Sequence, residues 1–239
     1  MSHLTDMLPV PDRPITCQSS MIWYSDSGTT PAVVEQIATM PGTDGDELWM
    51  KVKRYVDGGV VRYLEVLTYF DDETDLEDGI FVDSAITYSG ASASTITGLW
   101  HLRGQTVKYL ADGVAGSGTV SATGNLTLSA AATKVHIGYG YTSKLETLDI
   151  EAGAQGGTAQ TRSKRISNVY ARLHRSQGGK IGTTTLQDSI AYDDALLFTG
   201  DKPMAMRSGW GGVSTVYLEH SDPVPFTVLG LVIELNVSG

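Results

Sequence analysis

Polar and apolar residues alternate along most of this chain, which is the pattern of strands whose successive side chains point to opposite faces. The clearest example is residues 47–67, where Leu48, Met50 and Val52 fall on one face. Two such runs flank Asp57-Gly58, and Asp-Gly between strand-like runs is a strong signal for a tight hairpin turn. The segment is therefore predicted to form an antiparallel hairpin.

Residues 80–142 contain several short strand-like runs separated by turn signals such as Ser-Gly, Asp-Gly and Gly-Asn. Six runs can be distinguished, and in the last of them Val135, Ile137 and Tyr139 share one face. Six short strands are enough for a small barrel or sandwich. A compact β module is therefore expected here.

The run RISNVYARLHR fits two structures. Ile166, Val169 and Leu173 recur at helical spacing, whereas Val169, Ala171 and Leu173 fit one face of a strand. Because the regions on both sides are strand-like, we favour the strand.

The last predicted strand carries an apolar residue at every second position from Leu229 to Val237. A free edge of that composition would promote aggregation. This strand is therefore expected inside a sheet or at an interface.

These patterns predict an all-β protein with a β-sandwich or barrel-like main domain and a small β-barrel module. The proline-containing residues 1–19 are expected to form an extended arm. Residues 20–79 and 143–239 are assigned to the main domain, and residues 80–142 to the module.

Composition restricts the possible functions more than it restricts the possible folds. The chain has 239 residues and a formal net charge of −10, whereas a general nucleic-acid binder would carry a basic surface. Its single cysteine, Cys17, cannot form an internal disulfide or a multi-cysteine zinc site. No apolar stretch has the length of a signal peptide core or a membrane span, so synthesis in the cytoplasm without a membrane anchor is expected.

Two segments concentrate charge of opposite sign. The acidic segment holds Asp71, Asp72, Glu73, Asp75, Glu77 and Asp78. The basic segment, residues 152–187, has no acid and includes Arg162, Lys164, Arg165, Arg172 and Arg175. The acidic segment does not fit a calcium loop, because Leu76 stands at the glycine position and Val82 at that of the final acid. Both segments are candidates for an interface between subunits, and the alternative is that both are solvated surface.

No pattern indicates catalysis. The histidines do not stand in metal-binding spacings, and no nucleophile elbow or phosphate-binding loop is present. His220-Ser221-Asp222 contains the residue types of a catalytic triad, but adjacent side chains point apart. A pair of carboxylates such as Asp193-Asp194 leaves a glycoside hydrolase as a minor alternative. We therefore expect no enzyme activity, no cofactor and no metal.

The order of several motifs resembles the post-propeller region of tail nozzle (hub) proteins of short-tailed bacteriophages. The resemblance begins with VVEQIATMPGTDGDELWMKVKRYVDGGVVRYLEVL. Its elements are the turn at Pro41-Gly42, the strand around Trp49, the hairpin at Asp57-Gly58 and the strand at Arg62-Tyr63-Leu64-Glu65. The match extends over roughly residues 32–237.

The following segment, FVDSAITYSGASASTITGLWHLRGQTVKYLADG, is similar to the small β module of such proteins. That module is likened to the first catalytic-cysteine half-domain of ubiquitin-activating enzymes. The similarity rests on Gly98-Leu99, His101-Leu102, Gly104, Val107 and Ala111-Asp112-Gly113. The segment has no cysteine, so no ubiquitin chemistry is implied.

The resemblance implies a structural subunit of a phage tail, located in the virion after assembly in the host cytoplasm. It implies a homo-oligomeric ring, plausibly a hexamer, with other tail, adaptor or fibre proteins as partners and at most transient contact with passing DNA. Members of the family carry a β-propeller before this region, whereas this chain has a short proline-containing arm. A fibre-attachment adaptor or a capsid decoration protein is the alternative.

Overall fold

The computed structural model describes residues 2–5, 15–17, 32–42, 45–56, 58–67, 75–151, 162–183, 187–192, 197–211 and 214–238. These residues form sixteen strands and two short 3₁₀ turns, Leu76–Asp78 and Trp100–Leu102. The predicted all-β class is therefore confirmed.

Contacts between residues divide the chain into two units. The first comprises Met1–Tyr141 with Asp222–Val224, and the second comprises Thr142–Ser221 with Pro225–Gly239. The division after Tyr141 lies one residue from the predicted end of the small module. Residues 20–79, which the sequence analysis assigned to one domain with 143–239, fall in the same unit as that module.

The first unit begins with a five-stranded sheet of order β1-β2-β5-β4-β3. Its strands are β1 (Ser2–Thr5), β2 (Ile15–Cys17), β3 (Val33–Pro41), β4 (Asp46–Val56) and β5 (Gly59–Leu67). The predicted hairpin is confirmed, because Val56 lies opposite Gly59 and Gly58 has a φ of +75°, which favours glycine. Parts of the predicted arm, β1 and β2, pair within this sheet, while its prolines lie outside the described residues.

The second sheet of this unit has the order β6-β9-β7-β8. Its strands are β6 (Asp83–Ile96), β7 (Thr106–Ala111), β8 (Val114–Thr119) and β9 (Leu126–Tyr139). Leu99, Leu102, Val135 and Ile137 are central to its fully buried core. Among the described residues β6 and β8 are its two edges, so the expected barrel does not close.

The prediction of six short strands in this module was wrong. Four strands form, because two pairs of predicted runs each merge into one strand of 14 residues, β6 and β9. The Ser89-Gly90 signal coincides with an irregular register between these strands, not with a turn. A bulge accommodates extra residues without ending a strand, and such an interruption resembles a turn in the sequence.

The second unit contains the remaining seven strands. They are β10 (Ser143–Glu146), β11 (Lys164–Ser176), β12 (Lys180–Gly182), β13 (Gln187–Ser189), β14 (Phe198–Ala205), β15 (Tyr217–His220) and β16 (Thr227–Val237). They form two sheets, β10-β15-β12-β13 and β14-β11-β16. The ambiguous run RISNVYARLHR lies within β11, so the prediction of a strand is confirmed. Val169, Ala171 and Leu173 are completely buried in the core.

The C-terminal strand β16 is present, but among the described strands it lies at the edge of its sheet. Its regular alternation was predicted to start at Leu229, yet Leu229 is 62% exposed. The register shifts at this point: Gly230 lies opposite Arg172 and Val228 opposite Leu173. The bulge removes Leu229 from the ladder. The alternation of inward-facing and outward-facing side chains is therefore reversed on the N-terminal side of the bulge.

Candidate functional site

The acidic residues proposed for an interface are only partly described. Asp71, Asp72 and Glu73 lie outside the described residues. Asp75 and Glu77 are exposed at the 3₁₀ turn that starts at Leu76, as the hypothesis of a partner-facing surface requires.

Asp78 differs from these two neighbours because it is used within the chain. Its carboxylate forms an ion pair with Lys134 of β9. The charge available to a partner at this turn is therefore smaller than the sequence indicates.

Among the proposed basic residues, Lys164 is buried. Its side chain is 0% exposed, and its Nζ lies 2.8 Å from Asp149 Oδ2 and 3.1 Å from the carbonyl oxygen of Ile150. Lys164, together with a 2.7 Å hydrogen bond from the Ser214 N–H, holds the pKa of Asp149 below its usual range. Lys164 thus forms its ion pair inside its own unit.

Arg172 also has a partner in its own chain. Its guanidinium donates two hydrogen bonds to Asp201 of β14, at 2.8 and 2.9 Å, in the bidentate geometry typical of arginine and a carboxylate. Both side chains are about half exposed, at 59% and 47%. This exposed pair remains accessible from outside, but its net charge is zero.

The other three basic candidates are on the second unit as well. Arg162 is half-buried just before β11, and Arg165 is exposed within it. Arg175 has a φ of +43°, and its backbone N–H donates to Thr199 Oγ1 at 3.0 Å. All the basic candidates lie in the second unit and the described acidic ones in the first. Pairing between them across subunits stays a prediction.

The largest concentration of buried charge was not predicted as a site. Arg54 of β4 donates to Glu65 of β5 at 2.6 and 2.8 Å, and to Asp83 of β6 at 3.0 and 3.3 Å. The side chains of all three residues are at most 1% exposed. The guanidinium also lies 5.7 Å from the ring centroid of Tyr139, within the range of a cation–π contact.

This Arg54 cluster joins the two sheets of the first unit. Because its charges are inaccessible to solvent and mutually hydrogen-bonded, they serve to position the hairpin on β6. One signal in the sequence pointed to it. Arg54 continues the buried alternation of Met50 and Val52, so a charge stands at a position where the strand pattern requires an apolar residue.

Two buried histidines lie in the same unit as this cluster. His101 lies 3.1 Å through Nε2 from the carbonyl oxygen of Ser84, and His136 lies 2.9 Å through Nε2 from that of Glu77. A carbonyl oxygen can only accept, so Nε2 carries the proton in both rings. Burial is the first cause that lowers each pKa to about 4, and nearby cations, Arg54 for His101 and Lys134 for His136, act in the same direction. Both imidazoles are therefore neutral at pH 7.

Among the described residues, the most unusual surface is β3, which forms an edge of its sheet there. Eight of its nine residues are exposed, and its large apolar side chains Val33, Ile37 and Met40 are 48%, 67% and 49% exposed. Ile37 lies opposite the buried Met50, whereas Met40 lies opposite Glu47 on the other face of β4. The strand thus exposes apolar side chains on both faces.

Two kinds of specific site are absent from the described ranges. No group of three or more His, Cys, Asp or Glu side chains there is arranged to hold a metal ion. The same part of the chain contains no helix that is long and apolar enough to cross a membrane.

Comparison with known proteins adds no relative. No protein-family model and no curated protein matches the sequence.

Proposed function

We propose that this protein is a non-catalytic structural subunit of a bacteriophage tail that assembles with copies of itself into a ring. The proposal rests on the order of motifs that resembles tail nozzle proteins and on one surface, the edge strand β3. In the assembled tail it would contact adaptor or fibre proteins, and DNA would pass without stable binding.

The edge strand β3 carries the proposal. A long edge strand with unpaired backbone groups can pair with another chain, and monomeric proteins protect such edges with charges, prolines or bulges. Here the segment from Gln36 to Met40 has no charged residue, and a register shift and a proline occur only at its ends, near Glu35 and at Pro41. A strand that is apolar on both faces is stabilised when a partner covers it.

The charge of the protein supports the same proposal. A net charge of −10 limits adhesion to DNA, because binding to phosphates depends on clustered lysine and arginine side chains. On β3 itself, the carboxylate of Glu35 pairs with two cations, because Arg62 donates a hydrogen bond to it at 2.9 Å and Lys51 lies 3.3 Å away. Low adhesion is an advantage for a component of a conduit through which DNA must slide.

The proposal predicts that Ile37→Lys prevents assembly. A lysine at this position places a charge in the surface where a second chain would bind, and buried unpaired charge is strongly unfavourable. Native mass spectrometry of the full-length chain should show a closed oligomer for the wild type and predominantly monomer for the variant.

A matched control distinguishes this effect from general loss of solubility. Val114 of β8 is 66% exposed, close to the 67% of Ile37, and Val114→Lys should leave the oligomer intact. A wild-type chain that stays monomeric at all concentrations would contradict the ring. If that monomer bound a fibre or capsid protein, the adaptor function would replace the proposal.

A further inference from the structure

Along the chain, residues 77–84, called here the 77–84 connection, lead into the second sheet of the first unit; β1 and β2 of the first sheet also contact β6. The connection begins within the 3₁₀ turn Leu76–Asp78 and runs into the first residues of β6. Val82 is completely buried within it and packs with Ala85 and Ile80. The connection is therefore buried from Val82 to Ser84, whereas Glu77 at its start is exposed.

Hydrogen bonds from titratable side chains hold both ends of this connection. At its C-terminal end, Asp83 accepts from Arg54 of the first sheet, and the carbonyl of Ser84 accepts from His101 of the 3₁₀ turn between β6 and β7. At its N-terminal end, the carbonyl of Glu77 accepts from His136 of β9. The histidines thus join the connection to the module at both ends.

The backbone at the C-terminal end is strained. Ser84 has a φ of +53°, a conformation that a non-glycine residue rarely adopts. Its buried Oγ has no hydrogen-bond partner among the described residues, while its N–H donates to Asp83 Oδ1 at 2.9 Å. Such a conformation persists only while surrounding contacts enforce it.

Close packing of β9 against the connection helps to enforce this conformation of Ser84. A Cβ atom on Gly138 of β9 would lie 2.4 Å from the carbonyl oxygen of Asp83 and 3.0 Å from Val82. Only glycine allows β9 to approach the connection this closely. Protonation of either histidine at Nδ1 would leave its Nε2–H bond in place but would bury a positive charge in this tightly packed and strained arrangement.

We propose that the 77–84 connection is an acid-sensitive hinge, released when His101 and His136 take up protons, so that the five-stranded sheet of β1–β5 separates from the sheet of β6–β9. The inference does not depend on the proposed function in a phage tail.

The charged groups around each histidine set the direction of the effect. Arg54 of β4 faces His101, and its charge opposes a second positive charge on the histidine. The carboxylates of Glu65 and Asp83 are already hydrogen-bonded to that arginine. The ring of Tyr63 lies 6.2 Å from the ring of His101. Lys134 of β9 faces His136; its ion-pair partner Asp78 and the nearby Glu77 and Asp112 complete the surroundings.

Protonation therefore favours the open state. Each histidine has a pKa of about 4 when closed and about 6.5 when exposed, so opening is fully disfavoured above pH 6.5 and becomes easier as pH falls toward 4. Between pH 7.5 and pH 5 the opening equilibrium should rise by roughly thirtyfold for each histidine released.

Hydrogen exchange of the full-length protein tests the hinge. Backbone amides of residues 77–84 should lose protection between pH 7.5 and pH 5, after correction for the intrinsic pH dependence of exchange, while amides of β7 and the centre of β9 stay protected. His101→Gln and His136→Gln keep a side-chain N–H donor but do not titrate, so each should reduce the pH dependence by about thirtyfold. His174→Gln, in β11 of the second unit, should leave it unchanged.

Three results would overturn the proposal. The connection could keep its protection at pH 5, the whole first unit could lose protection in the same step, or the double glutamine variant could open like the wild type. If the variants do not fold, NMR titration of the two imidazoles in the wild-type protein still tests the hinge. Titration of either ring near pH 6.5, with the connection protected, would also reject the hinge.

Discussion

Arg54 and Lys164 are both completely buried cations on strands, one in each unit, yet their surroundings differ. Arg54 in the first unit has two carboxylate partners, and both are as buried as the guanidinium. Lys164 in the second unit has one carboxylate partner, Asp149, whose side chain is 40% exposed. The comparison teaches that the burial of the partner, and not only that of the cation, determines how much a buried ion pair matters to the fold.

The physical reason is the cost of leaving a partner unpaired. When a buried cation is removed, a carboxylate that cannot reach water keeps its full desolvation penalty. A carboxylate at the surface can instead be hydrated. Arg172 and Asp201, which are both about half exposed, represent the third case, where water replaces either partner.

The largest effect is expected for Arg54→Met. The substitution leaves Glu65 and Asp83 buried without their cation, and breaking a buried pair in this way costs about 3–5 kcal/mol. Urea denaturation followed by circular dichroism should show this loss in the free energy of unfolding. A loss below about 1 kcal/mol would contradict the role assigned to the cluster.

A combined variant separates charge from packing. Arg54→Met with Glu65→Met and Asp83→Asn removes all three charges and keeps similar volumes, so most of the lost stability should return. Asparagine is chosen at 83 because its side-chain oxygen can still accept from the Ser84 N–H.

An intermediate effect is expected for Lys164→Met. Asp149 loses its cation but keeps the hydrogen bond from Ser214 and contact with water, so the loss should be about 1–3 kcal/mol. The same urea titration measures it. A loss as large as that of Arg54→Met would show that the exposure of Asp149 does not relieve the desolvation penalty.

The smallest effect is expected for Arg172→Met. Its bidentate pair with Asp201 is exposed, so the free energy of unfolding should be unchanged within the error of the titration. In 0.5 M sodium chloride the wild type and the variant should likewise have the same free energy of unfolding, because salt screens exposed charges. A clear destabilisation would mean that this face of the sheet is covered in solution.

The same order of exposure decides which residues should be changed in a charge-reversal test of the proposed ring interface. Lys164 should be left unchanged, because its reversal would destabilise the second unit for reasons unrelated to assembly. Arg162→Glu with Arg165→Glu changes the more accessible charges, and native mass spectrometry should show weaker rings. Unchanged rings would remove the idea that this segment pairs with the acidic one.

Much of the fold was predictable from local pattern. The β4–β5 hairpin, the strand β11 and the strand β16 follow from alternation and from the Asp-Gly turn, because these features act between residues close in sequence. The merged strands β6 and β9 and the bulge at Leu229 were not predictable. A bulge depends on the partner strand, and the sequence of one strand does not identify its partner.

The candidate site divides in the same way. The sequence alone determined that the protein is all-β and acidic, and that it has two segments of opposite charge. Only the tertiary structure decided which charges are used inside the chain: Arg54 and Lys164 occupy the buried face of their strands, whereas Arg165 lies on the exposed one. The pattern of side chains along a strand is local, but the energy of a charge depends on what the fold places around it and on its distance from water.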